Sequence, residues 1–173
     1  MPSDFARQIV ALLPRLRRFG AALSGSMEAA DDLVQAACER ALRAPERFTP
    51  GTRLDSWMFR IMQNIWIDQR RAGGRSGRTT SEPEALDALI GEDGRRVTEA
   101  NLTLDRVWAA MDRLPDDQRA VLVAVCVDGL SYAEAAEMLG VPQGTVMSRL
   151  FRARRGLGVL LGLADAAAGQ GSD

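Results

Sequence analysis

The chain has 173 residues, is 46% hydrophobic and 26% charged, and carries a formal net charge of -1, values that suit one ordinary soluble domain or two small ones. It has no histidine and two cysteines, so zinc sites and histidine-based general-base catalysis are excluded, and neither catalytic residues nor a metal or cofactor is expected. No apolar run approaches the ~20 residues needed to span a bilayer, and the N-terminus lacks a signal-peptide pattern, so a cytoplasmic protein without membrane insertion is expected.

Phe5, Ile9, Leu12, Leu13, Leu16, Phe19 and Leu23 recur at three- and four-residue steps and predict a first amphipathic helix. Ser26 is placed to cap a second, which buries Ala30, Leu33, Val34, Ala37 and Ala41 and leaves Asp32, Gln35, Ala36 and Glu39 in an exposed row. A third helix is expected from near Asp55 to Arg71, with Trp57, Ile61 and Ile65 inward and Arg60, Asn64 and Arg71 outward. Trp66 falls between the two faces. It suits the core, and beside Asn64 and Arg70 it also suits a stacking surface for unpaired bases.

Residues 1–75 form this N-terminal module, with twelve arginines against eight acids. Residues 76–101 have linker composition, with Gly77, Pro83, Gly91 and Gly94 among Ser, Thr and six acids, and room for a short helix over 83–90. Residues 102–163 form a second helical module and 164–173 a small, polar tail. No strand-like alternation is sustained, so the expected class is all-α, two small helical domains joined by a flexible acidic linker. Cys38 and Cys126 both sit in apolar helical runs and are expected to be buried.

The second module contains a complete helix-turn-helix pattern. Ser131 and Glu134 make a capping box that starts a helix at Tyr132; Gly140 ends it in the left-handed region; Pro142 suits the first turn of the next. A turn of about three residues swings a second helix towards a major groove. On that helix Val146, Leu150, Ala153 and Leu157 form the buried stripe, while Gly144, Ser148, Phe151, Arg152 and Arg155 lie opposite. Arginine forks onto guanine, serine bonds either base type, and an aromatic edge packs on a thymine methyl. Arg149 and Arg154 fall on the flanks, where phosphates would pass. A solvated helix face accounts for four arginines in seven residues equally well when the helix is taken alone; the capped helix and tight turn ahead of it favour duplex DNA. Yet neither half has a large positive field, so the chain is expected to read DNA as part of a larger assembly.

Asp31-Asp32-Leu33-Val34-Gln35, Ser56-Trp57-Met58-Phe59-Arg60-Ile61 with Asn64 and Asp68, Leu114-Pro115, Gly129-Leu130-Ser131-Tyr132 and Gly144-Thr145-Val146-Met147-Ser148-Arg149 together resemble the extracytoplasmic-function (ECF) group of the sigma-70 family of bacterial RNA polymerase sigma factors. The resemblance runs from Phe5 to Leu157 in order and spacing. It implies an alternative sigma factor whose region 2 (1–75) docks on core RNA polymerase and melts the downstream promoter element, and whose region 4 (102–163) reads the upstream element. It further implies an anti-sigma partner.

By the same resemblance, Asp32, Gln35 and Glu39 dock on the polymerase. Asn64 helps hold a base flipped from the downstream element, with the loop 48–53 lining its pocket, and Arg60, Trp66, Arg70 and Arg71 of the same helix are the further candidates for that element. Ser148, Phe151 and Arg152 face the upstream element, and Thr145, Met147, Arg149 and Arg155 on the same helix are the further candidates there. The acidic linker would occupy the polymerase cleft. Family members commonly carry Arg or Lys where this chain has Met147, so a specific promoter sequence does not transfer. The segment Arg47-Phe48-Thr49-Pro50-Gly51-Thr52 is similar to that of the alphaproteobacterial general-stress sigma factors, which a small helical anti-sigma protein holds until a response regulator removes it; the third helix departs from that subgroup. Two other readings stay open: a stand-alone helix-turn-helix regulator, which would bind an operator as a symmetric dimer, and a sigma-mimicking module that sequesters an anti-sigma factor. An enzyme is disfavoured, because the carboxylates lie on helix faces without a second catalytic group.

Overall fold

A computed structural model of the protein describes residues 4–73 and 96–163, with the side chains of 96–103 left aside. The 83–90 helix, most of the expected linker and the tail 164–173 lie outside the described residues. Among the described residues every regular element is helical. Helix α1 (Asp4–Ser24) is followed by α2 (Met27–Arg43), which begins where the Ser26 hydroxyl accepts the Ala29 N–H at 3.1 Å. A 3-10 turn at Pro45–Arg47 and a loop lead into α3 (Leu54–Gly73). The three helices bury Leu16, Phe19, Leu23, Leu33, Met58, Phe59 and Met62, and the Phe19 and Phe59 rings stack with centroids 4.3 Å apart. Gly20 lets α1 and α2 approach closely: a Cβ there would come 3.1 Å from the Met62 methyl and 3.3 Å from the Ala30 Cβ, so these neighbours would have to give by a few tenths of an ångström.

The second module comprises α4 (Arg96–Asp112), α5 (Asp116–Leu122), a π-helical turn at Val123–Val127, α6 (Tyr132–Leu139) and α7 (Gln143–Leu160). Both halves of the capping box are formed: the Ser131 hydroxyl accepts the Glu134 N–H at 3.2 Å, and the Glu134 carboxylate accepts the Ser131 N–H at 2.8 Å. Gly140 closes α6 at φ 66°, and after a three-residue turn α7 starts just beyond Pro142, which caps the helix from outside its first turn. Val146, Leu150 and Ala153 are buried as the pattern requires.

The two modules are packed together. Their buried residues form one cluster, with α1 against the π-helical turn and α3 against α6. This packing corrects three expectations. The inward face of α3 is rotated, so that Met58, Phe59, Met62, Ile65 and Trp66 are buried while Trp57 and Ile61 lie half-buried at its edge. Cys126 is exposed rather than buried, because the π-helical turn breaks the 3.6-residue phase. The helix α4 already runs through residues 96–101, which the composition assigned to the linker.

Candidate nucleic-acid interface

On α7, Met147 and Phe151 are 52% and 67% exposed. Ser148, Arg152, Arg154 and Arg155 share the open surface, and Thr145 is half-buried beside it. The Arg152 Nε donates to the Ser148 carbonyl at 3.3 Å, which holds the guanidinium along the helix. Arg154 leans towards the Cys126 sulfur at 3.6 Å. Arg149 departs from its expected role: it pairs with Asp117 of α5 at 3.0 Å and is three-quarters buried, so it braces α7 instead of standing free for phosphate or base.

A cleft of about 900 Å3 opens between α2, the 48–53 loop, α3 and α6. Asn64 and Arg60 line it from α3, Arg40 and Arg43 from the end of α2, Arg47 and Arg53 from the connection, and Glu134, Glu137 and Met138 from α6. Five guanidinium groups therefore surround one cavity in a chain whose net charge is -1. Asn64 and Arg60 are exposed into it, whereas the Trp57 ring at its edge packs between Phe5 and Phe48, 6.1 and 5.5 Å away.

The cleft is braced by an ion-pair network. Asp55, near the start of α3, is 7% exposed and accepts from Arg53 at 2.7 and 3.1 Å, from the Ser56 N–H at 2.8 Å and from Arg15. Burial opposes its ionisation, but these hydrogen bonds and the charges of Arg53 and Arg15 outweigh burial and hold the carboxyl below its ordinary value. Arg15 also forks onto Asp128, just beyond the π-helical turn, at 2.8 and 3.1 Å. There burial wins over the arginine, and the Asp128 carboxyl sits above its ordinary value.

Two further expected residues fall elsewhere. Trp66 is 4% exposed, its ring covered by Arg70 and Arg119 with guanidinium carbons 5.2 and 5.7 Å from the centroid. It therefore offers no surface for unpaired bases. Arg70 is committed to Asp112 and Asp116 at 3.1 and 2.6 Å, away from the cleft. Arg71 is exposed on the same side of α3 as Asn64. On α2, Asp32, Gln35 and Glu39 are exposed in one row; Gln35 donates to Glu39 at 3.3 Å, and Asp32 makes no ion pair among the described residues.

Comparison with known proteins settles the family. The sigma-70 region 4 family matches residues 104–157, and the sigma2 domain of PhyR matches residues 9–63. The ECF RNA polymerase sigma factor EcfG of Rhodopseudomonas palustris is 39% identical over 153 residues, spanning 88% of this chain and 82% of the relative. The chain belongs to the ECF group of RNA polymerase sigma factors. Two solved relatives share the fold of this sigma factor. One is RpoE of Bartonella quintana, solved with the anti-sigma factor NepR, at 30% identity and a TM-score of 0.73 over 94% of this chain and 99% of that one. The other is CnrH, solved with the cytosolic domain of CnrY, at 27% identity and a TM-score of 0.66 over 91% and 86%.

As an alternative sigma factor the protein directs transcription, and the structure gathers more arginines around one cleft than the sequence pattern implied. The loop 48–53, with Arg53, lines the cleft as expected, whereas Arg40, Arg43 and Arg47 were not anticipated there, because they come from a helix end and an irregular connection, where no periodicity marks a shared face. The charge density of residues 40–60, five arginines within 21 positions, was the available signal.

Proposed function

We propose that residues 1–75 act as region 2, docking on core RNA polymerase through Asp32, Gln35 and Glu39 and opening the downstream promoter element in the arginine-lined cleft. Residues 102–163 act as region 4, with Thr145, Met147, Ser148, Phe151, Arg152 and Arg155 entering the groove of the upstream element. The observation that carries this reading is the cleft: a carboxamide at Asn64 can hydrogen-bond the edge of an extruded base, while Arg60 and its neighbours neutralise the phosphates on either side. The protein supplies recognition and the polymerase supplies the chemistry, so the site of action is the cytoplasm and the chain itself is not an enzyme.

A small helical anti-sigma factor is the second partner. RpoE was solved with the anti-sigma factor NepR and CnrH with the cytosolic domain of CnrY, and the Arg47–Thr52 segment is what favours the general-stress subgroup. A sigma-mimicking role as in PhyR has one observation behind it, the match over residues 9–63. The exposed arginines of α7 and the cationic cleft favour DNA, since a mimic has no use for either.

The test is transcription with purified core polymerase on duplex templates and on templates premelted at the downstream element. Asn64→Ala is expected to reduce open-complex formation on duplex, to recover in part on premelted DNA, and to lose base discrimination on both. Equal transcription by mutant and wild type on both templates removes Asn64 from the site.

A further inference from the structure

We propose that Met147 is a specificity-determining residue of the upstream site, reading the C5-methyl group of a thymine in the major groove. The inference deepens the region 4 reading and rests on α7 lying in that groove. At about 100° per residue, Gly144, Met147 and Phe151 fall within an arc of about 60° in the first half of α7, the end of a recognition helix that reaches base edges. On the same phase Ser148 and Arg152 lie to one side of Phe151, and Met147 and Arg154 to the other. The open face therefore has a hydrogen-bonding half and an apolar half.

The apolar half is no fringe of the core. Val146, Leu150 and Ala153 are buried on the opposite side of α7, whereas Met147 and Phe151 are each more than half exposed. A lone exposed apolar side chain is ordinary, but two of them one turn apart on one face make a contact surface. Charge selects what it contacts. Helix α7 carries four arginines and no acid, and Arg152, Arg154 and Arg155 are exposed and make no ion pair among the described residues. Such a face attracts a polyanion. A Cβ at Gly144 would stand in open space, so the bare backbone there leaves room for a close approach.

A duplex gives an apolar reader one choice. The only apolar group on the major-groove edges of the four bases is the thymine C5-methyl. Under a thioether, the amino, keto and ring-nitrogen groups of the other edges lose water and gain no partner. Met147 therefore favours thymine twice, by burying its methyl and by leaving the polar groups of competing bases unpaired. Its unbranched stem lets the sulfur and terminal methyl settle against the groove floor. Arg149 does not compete for that base, because Asp117 holds it at 3.0 Å.

A deoxyuracil scan tests the assignment. Full-length protein in polymerase holoenzyme first selects upstream elements from a randomised duplex library. Each thymine of the selected element is then replaced singly by deoxyuracil, which removes the methyl and keeps every hydrogen-bonding group of the base pair. At one thymine the wild type is expected to lose about fourfold in binding, the effect of one buried methyl group. Met147→Ala is expected to bind the thymine and deoxyuracil forms of that site alike, whereas Met147→Leu, apolar and of similar volume, keeps the difference. Both variants change an exposed position and are expected to melt at the wild-type temperature. The assignment is overturned by a wild type indifferent to deoxyuracil at every thymine, by a Met147→Ala protein that still responds at each thymine to which the wild type responds, or by loss of the response in Met147→Leu. Arg152→Ala in the same selection then locates the fault. A changed preference with Arg152→Ala keeps α7 in the groove and removes Met147 alone; an unchanged one removes the groove reading as well.

Discussion

Arg119 and Trp66 come from opposite modules and meet at their boundary, the guanidinium carbon 5.7 Å from the ring centroid and both side chains shielded from water. The ring has a cation over it and the cation has a π-face in place of part of its hydration. Arg70 approaches the same ring at 5.2 Å and then reaches Asp112 and Asp116, so a single tryptophan organises two arginines.

The first prediction follows from this burial. Trp66→Ala is expected to cost about 3–5 kcal/mol of folding stability, the range for removing a large buried aromatic side chain. Urea denaturation followed by circular dichroism measures it. A loss below about 0.5 kcal/mol, typical of surface positions, would place Trp66 outside the core.

Acid stability supplies the second. The Asp55 carboxyl is held below its ordinary value of 3.8 in the folded chain. A depressed acid contributes stability that is fully present above the unfolded value and is lost as pH falls through the folded one. The urea midpoint is therefore expected to fall more steeply below about pH 4 in the wild type than in Asp55→Asn. Asp128 works in the other direction, since its raised value makes the protonated form the favoured one on folding. Parallel acid limbs in wild type and Asp55→Asn would discard the Asp55 assignment.

Helix α2 gives the third. Asp32→Arg is expected to weaken core polymerase binding roughly tenfold or more, through repulsion at a docking surface, and to leave the thermal midpoint unchanged, because Asp32 is exposed and makes no ion pair among the described residues. Competition binding against the wild-type protein measures it. Equal affinity for core shows that docking lies elsewhere.

The fourth concerns α7. Arg152→Ala is expected to cost about 1–3 kcal/mol and to relax preference at one position of the upstream element, as loss of a base contact does. Arg154→Ala is expected to weaken all promoters alike and to reduce the salt slope by about one phosphate contact. Holoenzyme selection on a randomised upstream-element library at two salt concentrations separates the two. The reverse pattern means that α7 sits rotated in the groove.

How much of this was legible beforehand depends on the range of the forces involved. The Ser26 cap, the Ser131–Glu134 box, the Gly140 terminus and the Val146–Leu150–Ala153 stripe are set within one or two helical turns, and sequence spacing exposes them directly. Trp66, Arg70 and Arg119 take their environments from a module more than 40 residues away, and no local period carries that information. Cys126 departs for a different reason: the wider π-helical turn at Val123–Val127 takes the last side chains of that helix off the face a 3.6-residue period expects. Arg149 lies on the flank its phase requires, and only the tertiary neighbour Asp117 diverts it.

At Gly140 the left-handed backbone accepts glycine or asparagine most readily. A Cβ there would stand 3.6 Å from a guanidinium nitrogen of Arg60. Asparagine could supply the same backbone turn, but it would bring a carboxamide up beside that arginine, where it competes for the donors facing the cleft. The residue that ends a helix in one module thus conditions a cation in the other. Changes at position 140 and position 60 are accordingly expected to be tolerated together more often than singly, and lineages that alter the turn of the helix-turn-helix must retune the neighbouring module's affinity for nucleic acid in the same step.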